Sequence, residues 1–143
     1  MNVAQILKQK GRDVLTTRPH HTLRDAAEVL AGRHVGAIVV ADASGAVLGI
    51  LSERDIVRAV GGQGGAALEE PVSRHMTADP TTVGEEADID ELMQLMTAGR
   101  FRHLPVVEGG RLAGIVSIGD IVKHHVDALH QERDSLREYI ASA

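Results

Sequence analysis

The feature that most constrains this chain is an internal duplication. Residues 49–57 read GILSERDIV and residues 114–122 read GIVSIGDIV, sharing Gly, Ile, Ser, Asp, Ile and Val in register at an offset of 65. Upstream the offset is 66: Asp13 faces Asp79, Thr16 faces Thr82, Leu23 faces Ile89, Leu30 faces Met96 and Val40 faces Val106. The change of one residue falls between Asp42 and Gly49 in one copy and between Glu108 and Gly114 in the other, where both carry turn residues. Turns tolerate length changes best. Two copies are too few for a solenoid and suit a pseudo-twofold pair of small units.

Each copy reads as strand, helix, strand, strand, helix. Residues 14–17 and 81–83 are short apolar or Thr-rich runs that predict weak first strands. Leu23, Ala26, Ala27, Leu30 and Ala31 share one helical face, with Thr22 as cap; Ile89, Leu92, Met93 and Met96 repeat it with Asp88 as cap. Gly32 and Gly99 suit the helix ends. The continuous apolar runs 37–41 and 104–107 predict buried strands, each turning into a second strand as an antiparallel hairpin. A second helix then starts at Ser52 or Ser117. This divides the chain into an N-terminal amphipathic helix (1–12), a first repeat (13–60), a Gly-rich linker expected to be flexible (61–72), a second repeat (73–126) and a C-terminal helix (127–143). The class is α/β (α+β).

Composition removes several functions. No cysteine is present, which excludes disulfides, thiol chemistry and Cys-type zinc sites. The net charge of −5 argues against nucleic acid as the main target, and two aromatics, Phe101 and Tyr139, cannot build a base-stacking platform. No apolar run approaches a membrane span, and the N-terminus lacks a secretory pattern, so the expectation is a cytoplasmic protein without membrane insertion.

The strongest local signal is Gly-x-x-Ser-x-x-Asp at the strand-to-helix turn: Gly49, Ser52 and Asp55, then Gly114, Ser117 and Asp120. Glycine permits close approach of the backbone. Serine at a helix start adds a hydroxyl to unpaired amides that favour anions. The aspartate offers two acceptor oxygens to vicinal hydroxyls. Together they fit a nucleoside phosphate. The same Ser-x-x-Asp pattern also fits a capping box, a purely structural device that a duplicated fold would duplicate.

With RHLPVV (residues 102–107) before the second hairpin and the order of elements, these paired turns resemble a cystathionine-β-synthase (CBS) domain pair over roughly residues 13–60 and 79–126. The resemblance implies two β-α-β-β-α repeats packed through their sheets about a pseudo-twofold axis, with two clefts between them for AMP, ADP, ATP, NAD or S-adenosylmethionine. It implies ribose binding by Asp55 and Asp120, and Ser52 and Ser117 near phosphate or ribose. Thr16, Thr82, Gly36, Ala37, Arg102 and His103 would line the walls. In the second copy Ile118 and Gly119 leave room for a flat base, where the first has Glu53 and Arg54. Arg54 can donate to a phosphate that Glu53 would repel. Arg102 and His103 stand where the first copy has Gly36 and Ala37, so the site around Asp120 is expected to be the stronger.

No catalytic set and no metal spacing is visible. The paired histidines His20-His21 and His124-His125 read as exposed or capping; His103 alone falls at a candidate wall. The expected function is therefore a non-enzymatic sensor of an adenine nucleotide that signals to a separate protein partner, with no catalytic cofactor. The alternatives are a small metal-binding or enzymatic protein using its histidines, and a structural dimer. From Ile121 onward neither Pro nor Gly interrupts the chain, and Val122, Val126, Leu129, Leu136 and Ile140 form an apolar seam with a gap at Arg133. CBS pairs commonly dimerise face to face, so a homodimer using this helix is expected.

Overall fold

The computed structural model describes residues 1–142. The elements are α1 (Val3–Lys10), β1 (Thr16–Thr17), α2 (Leu23–Arg33), β2 (Ala37–Ala41), β3 (Val47–Ser52), α3 (Glu53–Gln63), β4 (Thr77–Ala78), α4 (Ile89–Gly99), β5 (His103–Glu108), β6 (Arg111–Ser117) and α5 (Ile118–Ser142). Side chains that compete for backbone amides set the helix starts. Thr22 accepts from the Asp25 amide and Asp88 from the Glu91 amide. Gly99 is the last residue of α4 and Gly32 the last but one of α2, in line with the sequence expectation, and the left-handed residues that follow are His34 (φ 54°) and Arg100 (φ 56°).

The duplication holds at the level of individual hydrogen-bonded pairs. In the first sheet, ordered β1-β2-β3-β4, Ala37 pairs with Ser52 and a bulge falls at Val40/Ala41. In the second, His103 pairs with Ser117 and the bulge recurs at Val106/Val107. Both hairpins are antiparallel, as expected. The parallel pair Thr17–Val40 of β1 and β2 recurs as an isolated bridge, Val83–Val106. The first strand of the second repeat is thus reduced to one bridge, and residues 14–17 contribute only Thr16–Thr17.

Two apolar cores result, and the chain crosses between them. Leu23, Leu30, Ile38, Val40 and Leu51 form the first, closed by Ala67 and Val72. Within residues 61–72, expected as a flexible linker, most of the chain is helical, residues 61–66 are exposed, and Ala67 and Val72 are buried. α3 runs on to Gln63, Gly64 turns the chain at φ 76°, and a 3-10 helix covers Gly64–Glu69. Burial of Ala67 and Val72 offsets the entropy that the glycines forfeit. The second core contains Leu92, Met96, Leu104, Val106, Val116 and Ile121, closed by Val3, Ile6 and Leu7 of α1. The N-terminal helix thus belongs to the core of the repeat farther from it in sequence.

The motif glycines serve this crossing. Neither Gly49 nor Gly114 has a positive φ. A Cβ at Gly114 would stand 2.7 Å from Leu7 Cδ2, and one at Gly49 would stand 2.8 Å from the carbonyl oxygen of Thr77 in β4. Their role is close approach of one chain segment to another. Leu7→Ala is expected to destabilise the protein by about 2–5 kcal/mol, because Leu7 is fully buried. Gly114→Ala in the Leu7→Ala background is expected to recover part of the loss, whereas alone it destabilises. Urea unfolding of the four species checks this cycle.

Candidate functional site

Both signature turns are capping boxes. Ser52 donates its amide to Asp55 Oδ2 at 2.8 Å and its hydroxyl to the same oxygen at 3.1 Å, while the Asp55 amide donates to Ser52 Oγ at 3.3 Å. Ser117 and Asp120 repeat the amide-to-carboxylate bond at 2.8 Å and the amide-to-hydroxyl bond at 3.2 Å. The turn is tied to its own repeat in the same way twice. The Glu53 amide donates to the Gly36 carbonyl at 2.9 Å, and the Ile118 amide to the Arg102 carbonyl at 2.8 Å. In both aspartates Oδ2 takes the cap, and Oδ1 takes part in none of the hydrogen bonds among the described residues.

Each turn opens onto a cavity to which the other repeat contributes. Ser52, Glu53, Arg54 and Asp55 share a cavity of about 470 Å³ with Arg58, Thr77 and residues 99–103. Ser117 and Asp120 share one of about 370 Å³ with Lys10, Asp13 and residues 34–37. Both volumes lie in the range of small-ligand sites. Gly36 and His103 line both cavities and form the divide between them. The left-handed residues Arg100 and His34 also lie one in each.

Several sequence assignments shift accordingly. Arg102 lines the cavity of Asp55, not that of Asp120, so the cation expected to strengthen the second site stands in the first. Ala37 lines the Asp120 cavity. Ile118 and Gly119 are exposed and line neither cavity, whereas Glu53 and Arg54 at the same positions of the first repeat line the Asp55 cavity. Thr16 and Thr82 are exposed and line neither; Thr77 and the 13–15 segment occupy the walls instead. Lys10, Arg58, Thr77 and Arg100 were not legible as site residues. For Arg58 a signal existed, its position one helical turn after Arg54. For Lys10 there was none.

Lys10 sets the electrostatics of the second cavity. Its ammonium donates to Asp120 Oδ2 at 2.7 Å and to the Ile115 carbonyl at 2.8 Å. Burial opposes ionisation of Asp120, but the Lys10 ammonium and the Ser117 amide outweigh it and hold the carboxyl below its usual range. A carboxyl with a depressed folded pKa adds stability above its unfolded pKa and loses it as pH falls through the folded value. Lys10→Met is therefore expected to raise the Asp120 pKa in a carboxyl NMR titration. It should lower stability at pH 7 by about 1 kcal/mol or less, a difference that shrinks in acid once Asp120 is protonated in both proteins.

His103 is pushed below the ordinary histidine range, chiefly by burial and then by Lys10, against Asp120 and Glu53. The other histidines are dispersed. His124, expected to be exposed or capping, is one of the two buried residues of α5, and His21 Nδ1 lies 3.2 Å from Thr17 Oγ1. Among the described residues no cluster of three or more His, Asp or Glu could hold a metal ion, and no helix is long and apolar enough to cross a membrane.

The sequence pattern of the CBS domain matches residues 3–62 and 72–127. The crystal structure of a CBS-domain containing protein from Agrobacterium tumefaciens aligns with a TM-score of 0.84 at 50% identity, over 87% of this chain and 99% of that one. A mitochondrial CBS domain-containing protein of Arabidopsis thaliana is 34% identical over 146 residues, 96% of this chain and 71% of the relative. A CBS domain protein from Pyrobaculum aerophilum, solved in complex with AMP, aligns with a TM-score of 0.75 at 28% identity, over 84% of this chain and 89% of that one. With both repeats matched by the CBS pattern and half of the aligned residues shared with the Agrobacterium protein, the chain belongs to the CBS-domain family.

Proposed function

We propose that this chain is a regulatory sensor that binds an adenosine-containing nucleotide (AMP, ADP, ATP or NAD) in a cleft between its repeats and signals to a separate protein partner. The carrying observation is the cavity in which the Ser52–Asp55 turn of one repeat faces Arg100–His103 of the other. A ligand there touches both repeats at once, so its binding energy biases their relative arrangement. The helix dipole at the start of α3 favours a phosphate, and the bond-free Oδ1 of Asp55 matches a ribose edge. The AMP complex of the Pyrobaculum relative supports the choice of nucleotide. The turn around Asp55 is the stronger site in this reading, since the Asp120 carboxylate is already bonded to Lys10.

Thermal unfolding with AMP, ADP, ATP, NAD and S-adenosylmethionine tests the proposal. A ligand at a hundredfold excess over its Kd stabilises by about 2.7 kcal/mol, a rise of about 5–10 °C for a domain of this size. No rise with any of them, and no nucleotide released on denaturing the purified protein, would leave the turns as helix caps alone.

A further inference from the structure

Four exposed arginines, Arg54, Arg58, Arg100 and Arg102, are among the residues lining the Asp55 cavity. None takes part in the ion pairs among the described residues. Two come from successive turns of α3 and two from the segment between α4 and β5, so both repeats supply them. Against them stand two acidic side chains lining the same cavity, Glu53 and Asp55, and Asp55 is already engaged in its cap. This concentration of positive charge arises in a chain whose net charge is −5. Like charges gathered without counter-charge repel, and a cavity with low-dielectric walls focuses their field on whatever enters. The Asp120 cavity is the opposite case: its one Lys, Lys10, is paired to Asp120, and Asp13 adds a further carboxylate.

We infer that the cleft around Asp55 is a polyphosphate site, holding the di- or triphosphate chain of an adenosine ligand between the arginines of α3 and those that precede β5. This deepens the adenosine reading above and rests on it. A monophosphate carries about −1.5 to −2 and a longer chain carries more, so a phosphate chain can pair with more of the four arginines around this cavity than one phosphate can. The cleft around Asp120, with no unpaired Lys or Arg among its lining residues, takes no phosphate chain.

Titration calorimetry at fixed ionic strength with adenosine, AMP, ADP, ATP, NAD and inorganic tripolyphosphate tests it. Affinity is expected to rise by about tenfold or more from AMP to ATP, with ADP and NAD between them. In Arg54→Gln/Arg102→Gln, both exposed positions, ATP should fall to within about threefold of AMP while adenosine is unchanged. Arg111→Gln, exposed and outside both cavities, removes the same kind of charge and should preserve the gradient. Equal affinity for AMP and ATP, or a gradient intact in the double variant, overturns the inference and leaves the adenosine reading standing. Tripolyphosphate bound through Arg54 and Arg102, with no adenosine compound bound, overturns the adenosine reading and with it the inference that the phosphate chain is that of an adenosine ligand. Binding of neither overturns both.

Discussion

Asp55→Ala is expected to weaken adenosine-nucleotide binding by more than about tenfold. A hydrogen bond to a charged acceptor is worth about 1.5–3 kcal/mol, and a ribose offers two hydroxyls. The same substitution removes the carboxylate that accepts the Ser52 amide and hydroxyl, so a loss of about 1 kcal/mol in stability should accompany it. Calorimetry and thermal unfolding of the same sample separate the two effects. Unchanged affinity with a lowered Tm would reduce the turn to a cap. Asp120→Ala should cost the tightest site much less, because that carboxylate lies in the other cavity and is bonded to Lys10. An effect of Asp120→Ala equal to or larger than that of Asp55→Ala would transfer the dominant site to the second repeat.

Truncation after Asp127 is expected to convert a homodimer into a monomer at about 10 µM. Helix α5 is 25 residues long, yet Ile121 and His124 are its only buried residues. Leu129, Leu136 and Ile140 are 51%, 56% and 71% exposed, so the helix does not fold back on its own domain. The stripe continues at Val126, Val122 and Ile118 onto the face where Met93 of α4 is also exposed, and Val35 and Val57 present the corresponding apolar surface on the first repeat. A second copy would carry the same exposed side chains, and pairing along α5 would cover those of the helix. Burying a Leu or Ile side chain is worth about 1.5–3 kcal/mol, and the truncation removes three such side chains per chain. Light scattering on both lengths decides it. A full-length monomer at tens of micromolar would remove the dimer from the reading. An equally tight truncated dimer would remove only the helix's part in it.

The sequence by itself determined the repeated unit, and with it most of the local structure. Strict correspondence at offsets of 66 and 65 carried through to the hairpin pairs, the bulges and the parallel contact of Val83 with Val106. The reason is that turns, caps and strand registers depend on neighbours a few residues apart, and the duplicated residues repeat those neighbours. Weak edges were less legible. Residues 81–83 have the composition of a strand, but only Val83 finds a partner, because the flanking chain diverges from the sheet. The glycines at 61–65 predict a flexible linker; in the structure this exposed stretch carries the end of α3 and the start of a 3-10 helix, and Ala67 and Val72 beyond it are buried.

Which residues share a cleft was decided by the tertiary structure alone. The pseudo-twofold arrangement sets the turn of one repeat against the helix-to-strand segment of the other, so Arg102 serves Asp55 although it lies closer in sequence to Asp120. Lys10 reaches Asp120 across 110 positions of sequence because Val3, Ile6 and Leu7 anchor α1 in the second core. Apolar periodicity predicts that such a helix will bury one face, but it carries no information on which of two similar cores will receive it. The charge difference between the clefts follows from that packing: among the described residues the four arginines lining one take part in no ion pair, and the only lysine lining the other is bonded to Asp120.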